Sequence, residues 1–182
     1  ARCACQISRR LLRVAQNSFD QSEMLPLIHQ RWLKAIDPVT PRDAATTLLC
    51  ARVSAEGDVQ AAQLGDGLLL VRCAGEFRRI TPERTAFVNQ TWALESEHVQ
   101  ERWSTVEGRF TEPGDGVVLM TDGVADDLDP DQLANFVDAL YKDLSTQNRR
   151  QGRRWLQSEL NGWTTPQHSD DKTLVAIFRT SK

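Results

Sequence analysis

The hydrophobic residues of this chain change their spacing along its length, and that change limits what it can fold into. Ile7, Leu11, Leu12, Ala15 and Phe19 recur at helical spacing over residues 6–19, and Leu25, Ile28, Trp32 and Ile36 do so over 22–36. Apolar residues at such steps mark one buried helix face. Ser22 stands where an N-cap would, and Pro26 falls in the first turn, where proline is tolerated. From residue 44 the chain reads as strands, at 44–54, 59–64, 68–74 and 77–80, with AEGD, GDG and Gly75 as turns. This spacing predicts an antiparallel meander. Residues 81–108 hold Pro82, Asn89, Trp92, Trp103 and the acidic run ESEHVQE, and predict a long irregular excursion. The strand VVLM follows, then helical patterns at about 130–145 and 147–162, with Leu133, Phe136, Val137, Leu140 and Tyr141 on one face. A strand at 173–180 closes the chain. Helix pairs kept apart from a meander predict an α+β class. The expected form is an antiparallel β-sandwich flanked by helix pairs, a four-layer αββα domain.

At 182 residues the chain is long enough for one domain that buries roughly 70% of its unfolded surface. With 40% hydrophobic and 26% charged residues it is not a disordered chain. A net charge of −3 argues against a nucleic-acid or anionic-membrane surface. No apolar stretch approaches the ~18 residues a spanning helix needs, and ARCACQISRRLLRV lacks the apolar core of a signal peptide. Cys3, Cys5, Cys50 and Cys73 form no Cys-x-x-Cys pair, which predicts a reducing, cytoplasmic setting. No repeat or linker divides the chain, and its first residue is not Met. The expectation is a single domain over 1–182, incomplete at its N-terminus.

Residues 114–126 read GDGVVLMTDGVAD, an apolar strand that runs into Asp122 and then Asp126. GDG at 65–67 and SDDKT at 169–173 also place acids at strand ends. Each alone reads as turn chemistry, and Asp126 alone reads as an N-cap or a solvated acid. Jointly, carboxylates at strand ends that converge on one edge repel each other unless cations neutralise them. His29, His98 and His168 are scattered, so a site here would be all-oxygen. Such a site selects hard ions such as Mg²⁺ or Mn²⁺. These ions generate a hydroxide near neutral pH and clamp phosphoryl oxygens for in-line attack.

GDGVVLMTDGVADDL, the GDG that follows VQAAQL, and HSDDKTLVAIF, in that order, resemble the metal-dependent serine/threonine protein phosphatases of type 2C, in a bacterial style. The resemblance covers essentially the whole chain and part of the family's domain. It implies that Asp122 and Asp170 bind the two core Mn²⁺ or Mg²⁺ ions, that Asp66 and Asp126 hold a third, looser ion, and that Gly123 lets the backbone turn tightly at the site. It implies removal of phosphate from phosphoserine or phosphothreonine by a metal-activated water. It further implies a phosphoprotein substrate opposing a serine/threonine kinase, a role in bacterial signalling, and no nucleic-acid or membrane partner. The 81–108 excursion falls at the family's variable flap. Gly65-Asp66-Gly67 replaces the family's common Gly-Asp-Ser, and Asp171 stands where Asn is frequent. The family's bridging Asp-Gly and its phosphate-binding arginine precede the first long helix, and residues 1–21 contain neither. A phosphatase-like binding module without catalysis is therefore the alternative.

Three other patterns carry less. Cys3 and Arg9 have the Cys-x₅-Arg spacing of cysteine phosphatases but no glycine and no preceding strand. Asn89-Gln90-Thr91 is a sequon without meaning in a cytoplasmic protein. Arg149, Arg150, Arg153 and Arg154 read as a solvated helix face, or more sharply as a dock for an acidic partner, with Trp155 and Leu156 turned inward.

Overall fold

A computed structural model describes residues 1–14, 21–82, 91–163 and 170–181. Helix α1 spans Arg2–Val14 and α2 spans Gln21–Ile36. The first helix thus begins four residues earlier than its apolar spacing suggested, while Ala15 and Phe19 lie outside the described residues. Ser22 is already helical, and Pro26 is the sixth residue of α2, one turn deeper than expected. The core decides this placement: Met24, Leu25, Ile28 and Trp32 are all buried, and they pack with Ala4, Ile7, Leu11 and Leu12 of α1.

Among the described residues, seven strands follow the period-two rule, so successive side chains serve opposite faces. They are β1 (Leu48–Val53), β2 (Asp58–Leu64), β3 (Leu68–Cys73), β4 (Glu76–Arg79), β5 (Ser104–Arg109), β6 (Gly116–Met120) and β7 (Leu174–Phe178). They form two antiparallel sheets, ordered β1-β2-β5 and β4-β3-β6-β7. Leu48, Cys50, Ala62 and Leu64 face α1 and α2. Their alternates Leu49, Ala51, Val59 and Ala61 face the second sheet, where Leu69, Val71 and Val117 meet them. Leu68, Leu70, Val118, Met120 and Leu174 turn outward to the second helix pair, α4 (Leu133–Ser145) and α5 (Arg149–Gly162). Three apolar seams therefore separate four layers, as the αββα expectation requires.

Two expectations change. The first four strands are not one meander: β1 pairs with β2 and β3 with β4, but β2 and β3 lie in different sheets. The GDG at 65–67 is thus a crossing between sheets rather than a hairpin. Secondly, the 81–108 excursion ends in structure. A 3-10 turn at Val99–Arg102 leads into β5, which pairs with β2 from Asp58↔Arg109 to Gln63↔Ser104. STVEGR has too few apolar residues to announce a strand, and its partner decides it. Residues 83–90, including Asn89, are outside the described set.

Asp115, at the mouth of β6, is fully buried. Its carboxylate accepts the backbone N–H groups of Ala74, Gly75, Thr111 and Glu112 at 2.7–3.0 Å. Ala74 and Gly75 both have positive φ, 51° and 78°, as a two-residue hairpin turn requires. Asp115 holds that turn and fastens it to the loop before β6. Arg72 of β3 and Asp138 of α4 form an ion pair that ties sheet to helix.

Candidate active site

Strand β6 ends at Met120, and Thr121 caps a single helical turn, α3 (Asp122–Ala125). Asp122 is the first residue of that turn, half-buried, and its Oδ1 accepts the N–H of Gly123 at 2.8 Å. Thr121 joins this corner to the last strand. Its N–H donates to the Thr173 carbonyl at 3.1 Å, its hydroxyl accepts the Thr173 N–H at 3.0 Å, and the same hydroxyl donates to the Asp171 carbonyl at 3.2 Å. The 170–173 stretch is thereby laid against α3.

Gly123 serves a purpose other than a tight turn. It is not among the residues with positive φ. A Cβ on it would stand 2.7 Å from the Asp171 carbonyl oxygen and 3.2 Å from the Asp170 Cβ. Glycine is needed there because the 170–171 backbone presses on it. The same close approach lays Asp170 against the residue that follows Asp122.

Asp66 arrives by another route. Gly65 has φ +110°, and a Cβ there would strike Thr47. A Cβ on Gly67 would stand 2.6 Å from the Met120 carbonyl oxygen, so the crossing loop passes over the end of β6. Gln63, 2% exposed, shapes the loop. Its amide donates to the carbonyls of Gly65 (3.0 Å) and Gly67 (2.5 Å), and its oxygen accepts the hydroxyl of Thr81. Thr81 in turn accepts the N–H of Leu69 at 2.7 Å. The Asp66 carboxylate accepts the Thr91 hydroxyl at 3.2 Å. Sequence reasoning missed Gln63 and Thr81; the available signal was a glutamine between Ala62 and Leu64, just before the Gly65-Asp66-Gly67 turn.

Asp126 is the C-cap of α3, not an N-cap, and is exposed, with its N–H donated to the Asp122 carbonyl. The fold therefore brings the 65–67, 121–123 and 170–171 backbones to one end of the sandwich, with residues 170–171 packed on the residue after Asp122. Among the described residues, no three Asp, Glu, His or Cys side chains gather closely enough to hold a metal ion. The donors are of the kind a hard divalent ion takes, but they are too few for a full shell.

Other sequence features resolve simply. Cys3 and Arg9 lie within the continuous helix α1, so no phosphate-cradling loop separates them. Arg149, Arg150, Arg153 and Arg154 are exposed on α5, while Trp155 and Leu156 pack inward.

The family model of protein phosphatase 2C matches residues 1–163. No curated protein matches the chain. Solved structures share its fold. The catalytic domain of the serine/threonine protein phosphatase PstP, solved in complex with two manganese ions, is 17% identical with a TM-score of 0.61, the match covering 95% of this chain and 78% of that one. The photosystem II phosphatase PBCP is 18% identical over 75% of this chain and 52% of that one, with a TM-score of 0.53. A bacterial serine phosphatase is 19% identical over 91% of this chain and 71% of that one, with a TM-score of 0.51. At these identities the neighbours speak for the fold, and the family model, matched along nearly the whole sequence, shows that the chain belongs to the protein phosphatase 2C family.

Proposed function

We propose that this chain is a metal-dependent protein phosphatase acting on phosphoserine and phosphothreonine. The observation that carries the reading is the packing of residues 170–171 against Gly123, the residue after Asp122, held at one sandwich end by Thr121. Asp122 and Asp170 would hold the core Mn²⁺ or Mg²⁺, and Asp66 and Asp126 a looser third ion. Such an ion supplies Lewis acidity toward a phosphoryl group and an activated water. The chain's own contribution is to fix two carboxylates on backbone that cannot drift apart. The substrate would be a phosphoprotein whose serine/threonine kinase this enzyme opposes in bacterial signalling. Among the described residues no helix is long and apolar enough to cross a membrane, and all four cysteines are free thiols, which supports a cytoplasmic setting.

The second reading is a phosphatase-like binding module, favoured by the lack of a three-ligand cluster among the described residues. Hydrolysis of p-nitrophenyl phosphate with and without Mn²⁺ separates the two. The enzyme reading expects Mn²⁺-dependent turnover in the wild type and none in Asp122→Asn. Turnover unchanged in that variant removes Asp122 from the site. A folded wild type with no turnover under any divalent ion supports the binding module.

A further inference from the structure

Helix α1 carries its charge on one side only. At about 100° per residue, Arg2, Arg9 and Arg13 fall within roughly 40° of one another, with Gln6 and Arg10 beside them. All five residues are exposed. The opposite side is spent on the core: Ala4 and Ser8 are buried, and Ile7 and Leu11 pack against α2 and the first sheet. The arginines form a stripe about 16 Å long, and α1 holds no carboxylate.

Neighbouring groups do not cancel this charge. Glu23 is the one carboxylate in α1 and α2 together, set against the four arginines, Arg31 and Lys34. Among the described residues no ion pair takes up an α1 arginine. The chain as a whole has a net charge of −3, so a cationic layer stands on an otherwise acidic molecule. Helix α5 differs, because its arginines share their layer with Asp138, Asp143 and Glu159. A stripe this narrow selects what can lie on it. Charges more than about 8–10 Å away are screened at physiological salt, so a short acidic segment senses the arginines and little else. A nucleic-acid duplex or a membrane extends past the stripe and meets the negative remainder of the protein. Membrane binding also needs an apolar helix face to insert, and that of α1 lies in the core. Guanidinium groups match carboxylates with paired hydrogen bonds.

We propose that the outer face of α1 docks an acidic segment of a partner protein, whose aspartates and glutamates pair with Arg2, Arg9, Arg10 and Arg13. This surface does not depend on the phosphatase reading above.

The test is fluorescence anisotropy with two labelled peptides of about a dozen residues, enough to span the stripe in an extended form. One has glutamate at every second position, and the other has glutamine there. They are titrated onto the wild type and three triple variants. Arg9→Gln/Arg10→Gln/Arg13→Gln removes charge from α1, and Arg149→Gln/Arg150→Gln/Arg153→Gln removes the same charge from α5. Arg9→Lys/Arg10→Lys/Arg13→Lys keeps the charge of α1. All these positions are exposed, so each variant is expected to melt with the wild type. The glutamate peptide is expected to bind the wild type and the α5 variant alike, and the α1 glutamine variant about tenfold more weakly. The lysine variant is expected to stay within about threefold of the wild type, and added salt to weaken binding. No binding of the glutamate peptide by the wild type, equal binding of the two peptides, or equal losses in the α1 and α5 glutamine variants would each overturn the proposal. So would a loss in the lysine variant as large as in the glutamine one. Tighter binding of a short DNA duplex or of phosphatidylserine vesicles than of the glutamate peptide would overturn it as well.

Discussion

Asp115 and Asp122 stand at the two ends of strand β6 and show two fates of a carboxylate beside a buried strand. At Asp115, burial pushes the carboxyl pKa up, but the four backbone N–H donors outweigh it and hold the group below its ordinary value. A depressed folded pKa contributes stability that is present above the ordinary carboxylate value, about 3.9, and is lost as pH falls through the folded one. Urea unfolding of the wild type should therefore lose free energy as pH drops below about 4. Asp115→Asn should cost ~2–4 kcal/mol at neutral pH and flatten that acid limb. An equal acid limb in both proteins would remove Asp115 as its source. Asp122→Asn should behave otherwise, with its melting temperature almost unchanged and Mn²⁺-dependent turnover lost. The asparagine oxygen can still accept the one Gly123 N–H that Asp122 holds. Both acids lie in GDGVVLMTDGVAD. Only Asp122 attracted attention, because the donors to Asp115 come from residues 74–75 and from the loop at 111–112, and the first of these is remote in sequence.

At the scale of elements, the crossing between β2 and β3 matters most for the site. Turn residues announced a turn at Gly65-Asp66-Gly67, and a hairpin was the natural reading. The turn instead changes sheets, and Gln63 and Thr81 hold it in that path with buried hydrogen bonds. Gln63→Leu would leave two loop carbonyls and the Thr81 hydroxyl without their partner. It should cost ~1–3 kcal/mol and raise amide exchange in the Gly65–Leu68 loop, with exchange in α4 unchanged. Uniform exchange across the protein would mean that Gln63 supports the whole fold rather than the loop. Strand β5 shows the same dependence on context. Val106 is its one buried residue, and pairing with β2 makes it a strand.

For the whole molecule, three apolar seams carry the stability. The middle seam joins the sheets through Leu69, Val71 and Val117, each at most 1% exposed. Leu69→Ala should cost ~2–5 kcal/mol, since both sheets must move to close the cavity. Arg150→Ala, on the exposed face of α5, should change stability by no more than about 0.5 kcal/mol. Similar costs for the two in denaturant titration would contradict the layered account. The same packing silences Cys50, whose thiol burial pushes up to about 12.

The sequence by itself determined the layers. Period and segregation of its apolar residues are local properties, so two helix pairs, most strands and the αββα order could be read from spacing alone. It also named the acids, because Asp and Gly after an apolar strand are visible as letters. Tertiary structure alone decided which strands share a sheet, that Gly123 is required by the pressure of residues 170–171 rather than by its own φ, and that this stretch packs beside Asp122. Each of these depends on contacts between residues far apart in the chain, and no local pattern encodes such a contact.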